Sequence, residues 1–354
     1  MKYIYDLTFE ELKEEVLKPL SLPQFRAGQI YSALHQGVSV DNITNIPKDL
    51  RAWLKEHFDC NLPEIIKEQV SKDGTKKYLL AFQGKDLIEC VLLSQNYGNT
   101  LCVSTQVGCR MGCRFCASGK YGLVRNLTAG EILAQVLLIN RLNMTPTTRG
   151  VTNIVLMGSG EPLDNYENVI RFLNLVTAPT GINISGRNIS LSTSGLVPQI
   201  RKFADEKTQV NLCISLHAPN DQLRQQIMPV AKRYSIAELI DAAKYYFEKT
   251  HRRVIFEYSL MMKDGQPFNC AVNQARELAG LVRGFAAHIN LINLNPLNFD
   301  KNAVLTPPSR ETAMAFMDAV IKSGVSCTMR KNKGDDIDGA CGQLRLRHLA
   351  NEEN

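Results

Sequence analysis

The hydrophobic pattern of the chain changes twice, and each change marks a different kind of secondary structure. Up to about residue 62, apolar residues recur at helical spacing. This part predicts three short helices. A capping box at 8–11 opens the first, and the other two lie at 25–34 and 47–54. Two strand-like segments, 76–82 and 87–93, then predict a β-hairpin. We therefore expect a small N-terminal helical domain (1–62) and a β-hairpin extension (63–95).

Beyond residue 95 the pattern alternates between strands and helices. Strands are predicted at 100–107, 151–157, 188–193, 210–216, 254–260, 287–293 and 325–329. Capping boxes that start at Thr128 and Ser235 open two of the helices between them. Alternation of this kind predicts an α/β fold with a parallel sheet and right-handed crossovers. Because a closed barrel needs eight units, we expect an incomplete, open TIM-like barrel of the (βα)6 type over 96–333.

Composition and charge narrow the class of protein. Apolar residues make up 44% and charged residues 21% of the 354 residues, as is ordinary for a globular enzyme. No apolar run approaches the ~20 residues needed to cross a bilayer, and the first residues turn acidic too early for a signal peptide. We therefore expect a cytoplasmic protein with no membrane partner. The formal net charge of +6 is compatible with an RNA partner, but it is weak evidence alone.

Polar motifs follow the carboxyl ends of several predicted strands. They lie at 109–116, 158–162, 192–195, 215–217 and 293–296. In a barrel of parallel strands these ends meet on one rim, where the chemistry of such folds is found. Motifs scattered over nearly 200 residues of sequence are thus expected to form one site.

Three cysteines at C-x3-C-x2-C spacing, Cys109, Cys113 and Cys116, carry the chemistry most clearly, with Phe115 just before the third. In a reducing compartment, clustered cysteines favour metal binding over disulfides. Thiolates hold iron–sulfur clusters, usually four per cluster, so three leave one iron of a [4Fe–4S] cube open to a ligand. The alternative is structural zinc, which needs four ligands and usually pairs two CxxC motifs. Because this sequence has no second CxxC pair to complement the first, we predict the iron–sulfur cluster.

These cysteines resemble the signature of the radical S-adenosylmethionine (SAM) superfamily, in which the open iron binds SAM and reduction releases a 5′-deoxyadenosyl radical. The segment 158–162 is similar to the glycine-rich segment of that superfamily, whose glycines let the backbone approach the cofactor. The resemblance implies SAM contacts from Gly160, Glu161, Ser192, Ser215, Leu216, His217 and Asn295. Glu161 is expected to bind the ammonium group of SAM. For His217, a capped strand end is the alternative interpretation.

Further motifs, at 25–30, 101–109, 215–220 and 334–344, narrow the resemblance to the dual-specificity ribosomal and transfer RNA adenine C2-methyltransferases. The similarity covers essentially the whole chain. One departure is Ser159, where that family often has methionine. The resemblance implies methylation at C2 of adenine 2503 in 23S rRNA and of adenine 37 in tRNA. It also implies a reductant such as flavodoxin or ferredoxin, and we expect a monomer.

The C2 carbon of adenine is electrophilic, so direct methyl transfer from SAM cannot methylate it. The resemblance implies that Cys341, in the C-terminal segment 334–354, first accepts a methyl group as a nucleophile. The radical then removes hydrogen from the S-methyl, and the carbon radical adds to C2. Cys102 attacks the sulfur of Cys341, and a transient disulfide frees the product. Glu89 matches the proton acceptor of the family.

Each of these residues has an alternative. Cys102 lies between apolar strand residues and could be a core cysteine. Glu89 lies inside an apolar strand pattern, where it needs either an ion-pair partner or a raised pKa suited to a base. The cysteines without metal-ligand spacing are interpreted as core residues: Cys60, Cys90, Cys213, Cys270 and Cys327.

Two other functions remain open. The first is a related C8-methyltransferase of the same rRNA adenine; Pro162 and Ala218 favour the C2 branch. The second is a non-catalytic, metal-stabilised RNA-binding protein. Basic residues flank the cysteine triplet and Cys341, as phosphate contacts require, and the N-terminal domain is a candidate RNA-contacting module by resemblance.

Overall fold

The computed structural model describes residues 1–82, 86–120, 122–294, 304–337 and 342–352. Its largest feature is a sheet with seven parallel strands in chain order: Gly98–Cys102, Asn153–Leu156, Ile189–Thr193, Asn211–Ser215, Val254–Leu260, Ala287–Asn293 and Cys327–Met329. The strand order is linear, with the seventh strand at one edge of the described sheet. The predicted α/β fold with a parallel, open sheet is therefore confirmed.

Helices connect each parallel strand to the next. They are Ala129–Asn143, Tyr166–Thr177, Val197–Asp205, Asp221–Ile227 with Ile236–Thr250, Val272–Val282, and Arg310–Lys322. Thr128 and Ser235 cap their helices as predicted, each with a glutamate three residues on that returns the hydrogen bond. None of the helices that the structure describes is both long enough and apolar enough to cross a membrane.

Each predicted barrel strand is present, but the first is shorter than the predicted range 100–107. Only Gly98–Cys102 belongs to the large sheet, whereas Gln106–Gly108 pairs with Leu123–Asn126 in a separate antiparallel ribbon. The chain leaves the sheet between these strands because Thr105 and Gln106 donate backbone hydrogen bonds to Ser159 instead. A third small sheet is formed by Met262–Lys263, Gln266–Pro267 and Leu305–Thr306.

Three antiparallel strands extend the large sheet beyond its first parallel strand: Glu64–Val70, Lys76–Phe82 and Asp86–Gln95. The sequence predicted the last two as a hairpin and missed the first, because its side chains are mostly exposed and polar. The two apolar strands are buried on both faces. One face of these strands, with Tyr78 and Ile88, belongs to the main core. The other face, with Leu79 and Leu87, forms a second apolar cluster with the C-terminal helix Gln343–Glu352.

The N-terminal unit consists of the helices Phe9–Leu12, Phe25–His35 and Lys48–His57, joined by a two-stranded pair, Lys2–Tyr3 with Phe58–Asp59. The first helix continues as a π-helical turn, Lys13–Leu17. The unit docks on the outside of the barrel. The carboxylate of Asp6 accepts a hydrogen bond from the backbone N–H of Gly130 (2.6 Å), in the first turn of a barrel helix.

Candidate active site

The cysteine triplet lies on the loop that follows the first parallel strand, as predicted. The backbone N–H of Cys109 donates to the carbonyl of Gly122 (2.9 Å), and that of Cys116 donates to Cys113 (3.1 Å). Gly108, immediately before the triplet, has φ +79° and packs so closely against the Gly122 carbonyl that a Cβ would overlap it. The loop is therefore held in a defined shape before any metal binds.

The three thiols form one electrostatic group. Burial raises the pKa of Cys109 to about 12 and also raises the pKa of Cys113, and in each case the other cysteines add to the shift. Within the described part of the chain, no three histidine, cysteine or acidic side chains are grouped so as to hold one metal ion. A cube needs no such grouping because each thiolate binds a different iron. Three thiols are one fewer than the four ligands that structural zinc takes, and this donor set fits an iron–sulfur cluster.

Glu161 lies beside the triplet with 3% of its surface exposed. Its carboxylate accepts hydrogen bonds from the backbone N–H groups of Leu163 (3.1 Å) and Ser194 (2.6 Å). Burial raises its pKa, and no ion pair joins it to a basic side chain among the described residues. The ammonium group of a ligand would stabilise the charge of a carboxylate that is buried in this way.

The glycines of the 158–162 segment allow close packing within the protein. A Cβ on Gly158 would lie 2.6 Å from the carbonyl oxygen of Val103, and one on Gly160 would lie 2.8 Å from the N–H of Gln106. Gly160 also has φ +111°. Both glycines therefore allow two loops of the protein to pack together, and their absent side chains do not point at an open cofactor site.

Ser159, between them, is part of the same contact. Its N–H donates to the hydroxyl of Ser104 (2.9 Å), and its own hydroxyl donates to the carbonyl of Gly108 (3.4 Å). The residue that departs from the family pattern is thus attached directly to the loop of the triplet.

His217, at the end of the fourth parallel strand, is buried and adopts φ +55°. Its Nδ1 accepts a hydrogen bond from the N–H of Ser259 (2.9 Å), which leaves the ring proton on Nε2 as a donor. Burial lowers its pKa to about 3, so the ring is neutral. Phe115 contacts it edge-on at 4.8 Å between ring centroids, which joins the cysteine loop to the fourth strand.

Arg224 is a residue of the site that sequence reasoning missed. Its side chain is fully buried, and it donates to the carbonyls of Ser194 (2.6 Å), Leu216 (3.0 Å) and Ser215 (3.1 Å). It therefore ties together the ends of the third and fourth strands. An arginine among the polar residues of a short helix has the sequence signature of a surface residue, so no pattern could have marked it.

The remaining residues predicted to contact SAM differ in how deeply they are buried. Ser192 and Ser215 are half-buried, and Ser215 pairs with the buried Glu257 of the next strand. Leu216 is fully buried; its N–H donates to the carbonyl of Glu257, and its own carbonyl accepts from Arg224. Asn295 lies outside the described residues.

Glu89 lies on the antiparallel extension, close to the first parallel strand. It is 4% exposed, and its carboxylate forms an ion pair with the fully buried Lys77 (2.9 Å). It also accepts hydrogen bonds from the backbone N–H groups of Gly342 and Arg345 (2.6 Å each). The ion-pair partner that the sequence left open is therefore Lys77.

Cys102 ends the first parallel strand and is 7% exposed. It pairs with Val91, which lies two residues from Glu89 on the same strand. Because alternate residues of a strand share a face, Cys102 and Glu89 lie on one face of the sheet. Cys341 lies outside the described residues, but its neighbour Gly342 packs against the cysteine loop. A Cβ on Gly342 would lie 2.7 Å from the N–H of Ser118, two residues after Cys116.

Comparisons with known proteins agree with this geometry. Residues 103–267 match the family model of the Radical SAM superfamily. The fold is similar to the crystal structure of a radical SAM methyltransferase from Sphaerobacter thermophilus, with a TM-score of 0.91 and 42% identity over 97% of this chain and 99% of the other. Fold and site together define a radical SAM methyltransferase, and that class implies both SAM and an iron–sulfur cluster.

Curated relatives extend the similarity to the whole chain. The probable dual-specificity RNA methyltransferase RlmN of Clostridium perfringens strain 13 is 47% identical and covers 99% of this chain and 98% of its own length. The corresponding protein of Geobacillus kaustophilus is 46% identical and covers 99% and 94%. The chain therefore belongs to the RlmN family of RNA methyltransferases, and the resemblance stated from its motifs is confirmed.

Proposed function

We propose that this enzyme methylates C2 of adenine 2503 in 23S rRNA and of adenine 37 in tRNA. The methyl carbon travels through an S-methyl group on Cys341, and a transient Cys102–Cys341 disulfide releases the product. Two SAM molecules are used per turnover. The names of the relatives support RNA as the substrate.

One observation carries this proposal, namely the position of the C-terminal segment. Gly342 packs against the backbone of Ala117 and Ser118, directly after the last cysteine of the triplet. The residue before Gly342 in the sequence is Cys341. The contact of Gly342 beside the triplet supports a role of the preceding cysteine as the methyl-accepting nucleophile.

The cofactor site is supported by the same loops. We propose that Cys109, Cys113 and Cys116 hold a [4Fe–4S] cluster, which with SAM supplies a methyl donor and a 5′-deoxyadenosyl radical. Glu161 offers its buried carboxylate to the SAM ammonium, and the Nε2 proton of His217 is available to an acceptor on the ligand.

We propose for the remaining residues the roles that the family resemblance implies. Cys341 supplies the sulfur that carries the methyl carbon, and the thiolate of Cys102 then attacks that sulfur. Once the adduct has given one electron back to the reducing system and its C2 proton to a base, an S–S bond forms. The electron pair of the broken sulfur–carbon bond stays on the RNA-bound carbon, which takes up a proton and becomes the methyl group. Glu89 shares a sheet face with Cys102 and takes the proton from C2.

Partners are proposed on similar grounds. Adenine must leave its stack to expose C2 to these residues. Arg114 and Lys120 are exposed beside the triplet and suit phosphate contacts. Arg110 and Arg125, also near the triplet, form ion pairs with acidic side chains. We keep the N-terminal unit, 1–62, as an RNA-contacting module. We also propose a monomer in the cytoplasm, reduced by a flavodoxin or ferredoxin.

The test is anaerobic reconstitution of the cluster followed by reaction with an rRNA fragment and tRNA. Mass spectrometry of the digested RNA should yield 2-methyladenine from both substrates. Formation of 8-methyladenine would instead assign the enzyme to the C8 branch. Absence of any methylated adenine, together with zinc in place of iron, would support the non-catalytic alternative.

Replacement of Cys341 separates radical formation from methyl transfer. We expect Cys341→Ala to release 5′-deoxyadenosine within a few-fold of the wild-type rate but to form no methyladenine. A Cys327→Ala variant is the matched control, because that half-buried cysteine lies on the last parallel strand and should retain methylation. Methylated RNA from the Cys341 variant would overturn the proposed mechanism.

A further inference from the structure

The C-terminal segment is attached to the antiparallel extension at a first point just before Asp338. The carboxylate of Asp336 accepts hydrogen bonds from the hydroxyl of Ser71 and from the N–H of Lys72 (3.1 Å). The carboxylate of Asp73 accepts one from the N–H of Gly334 (3.2 Å). All three partners lie in the turn between Glu64–Val70 and Lys76–Phe82. This turn therefore holds residues 334–336 from one side.

The second attachment lies just after Cys341. Both oxygens of Glu89 accept backbone N–H groups at the start of the C-terminal helix, from Gly342 and Arg345. These N–H groups have no partner within a helix, and a carboxylate at a helix N-terminus also interacts favourably with the helix dipole. Lys77, fully buried, donates to the same carboxylate (2.9 Å) and compensates its charge.

Apolar packing reinforces the second attachment. Leu344 is 1% exposed and packs with Leu79, Ala81 and Leu87 of the extension. This face of the strands is separate from the one that joins the main core. The strands Lys76–Phe82 and Asp86–Gln95 thus pack on both faces, against the barrel on one side and against the C-terminal helix on the other.

We infer that the antiparallel extension acts as a tether that positions the catalytic cysteine. The turn at 71–75 and the Lys77–Glu89 pair hold the chain on either side of 338–341, and Gly342, which follows Cys341 in the sequence, packs against the cluster loop. Lys77 and Asp336 are positioning residues in this arrangement. The inference rests on the proposed role of Cys341, but the tether itself can be tested without it.

The first experiment measures backbone amide exchange in the protein without cofactors. Lys77→Met leaves Glu89 buried without its counter-ion, so we expect the peptide that covers 342–349 to exchange at least ten-fold faster. Asp336→Ala should have the corresponding effect on the peptide that covers 330–337. Because Asp336 is largely exposed, this variant keeps the test valid even if Lys77→Met fails to fold.

Two neighbouring substitutions serve as controls. Lys76→Met removes the adjacent lysine, whose ammonium binds Asn143 and not Glu89. Asp335→Ala removes an adjacent exposed carboxylate that lies outside the hydrogen bonds to the turn. We expect wild-type exchange in both peptides for both controls. Wild-type exchange in Lys77→Met and Asp336→Ala as well would overturn the tether.

The second experiment connects the tether to the chemistry. After reconstitution with SAM and reductant, S-methylation of Cys341 is measured by mass spectrometry alongside release of 5′-deoxyadenosine. We expect both tether variants to methylate Cys341 at least ten-fold more slowly while 5′-deoxyadenosine stays within about two-fold of wild type. Unchanged methylation in the variants would show that the tether does not position the cysteine. Absence of methylation in the wild type would refute the proposed function instead, and the exchange results would still decide the tether.

Discussion

At the residue scale, the site depends on buried charges whose partners come from distant parts of the sequence. The sequence identified Glu89 and left its burial unexplained, because Lys77 becomes its partner only through the register of two antiparallel strands. Arg224 was invisible for a similar reason, since its three acceptors are backbone carbonyls of other strand ends. Residue types and spacing thus located the cysteine triplet and Glu161, but they could not supply long-range partners.

Replacement of Cys102 tests the release step. Cys102→Ala leaves no thiolate on this face of the sheet to attack the sulfur of Cys341, so we expect a covalent protein–RNA adduct to accumulate. Denaturing electrophoresis of labelled RNA would detect it as a species that persists after unfolding. Cys90→Ala is the matched control, because Cys90 lies beside Glu89 but faces the main core. Ordinary turnover by Cys102→Ala would remove this residue from the mechanism.

At the scale of elements, the hydrophobic pattern predicted the position of a strand best where that strand is buried within the parallel sheet. All seven parallel strands appear within a few residues of their predicted positions, because alternating strands and helices leave little freedom in register. Glu64–Val70 was missed because an exposed edge strand has no apolar pattern. The first strand is shorter than predicted for another reason: residues 103–105 are buried, but the N–H groups of Ser104 and Thr105 donate to Gln135 and Ser159, outside the sheet.

Close packing between loops makes a sharp prediction for two glycines. Gly158→Ala places a Cβ 2.6 Å from the carbonyl oxygen of Val103, so we expect the free energy of unfolding to fall by about 2 kcal/mol or more. Gly280→Ala, in the helix Val272–Val282, has no atom within 4 Å of the new Cβ and should raise it by about 0.5–1 kcal/mol. Denaturant titration measures both. Equal effects of the two substitutions would contradict the close approach of the loops.

At the scale of the whole molecule, the N-terminal unit is fixed to the barrel by polar contacts as well as by its core. Arg171, on a barrel helix, donates to the carbonyl of Asp6 and to the capping residue Glu11. His35 accepts a hydrogen bond from the N–H of Ile182 (3.3 Å) and stacks on Tyr31. The hydrogen bonds among these contacts join residues more than 100 positions apart, so the sequence predicted the unit but not where it docks on the barrel.

His35 makes this docking sensitive to pH. Burial lowers its pKa to about 4 from the usual 6.5, so the folded state favours the neutral ring. Its contribution is complete above about pH 6.5 and is lost as the pH falls towards 4, when the unfolded chain binds the extra proton. The loss amounts to about 3 kcal/mol at most.

The measurement is the free energy of unfolding of wild type and His35→Asn between pH 7.5 and 4. Asparagine retains an acceptor but does not titrate, so we expect the variant to be less stable at pH 7.5 and to lose less stability on acidification. Parallel pH curves for the two proteins would show that His35 is not the group that responds.

The ion pair of Glu89 has a consequence for the timing of the reaction. The carboxylate that is proposed to take the C2 proton is also the one that holds the start of the C-terminal helix. A proton on this carboxylate removes the charge that strengthens both hydrogen bonds, and it leaves Lys77 without a counter-ion. Under the proposed mechanism, proton transfer therefore loosens the segment of Cys341 in the same turnover in which its sulfur must turn from RNA to Cys102. Transfer of the C2 proton to Glu89 would then set the time at which the segment of Cys341 moves.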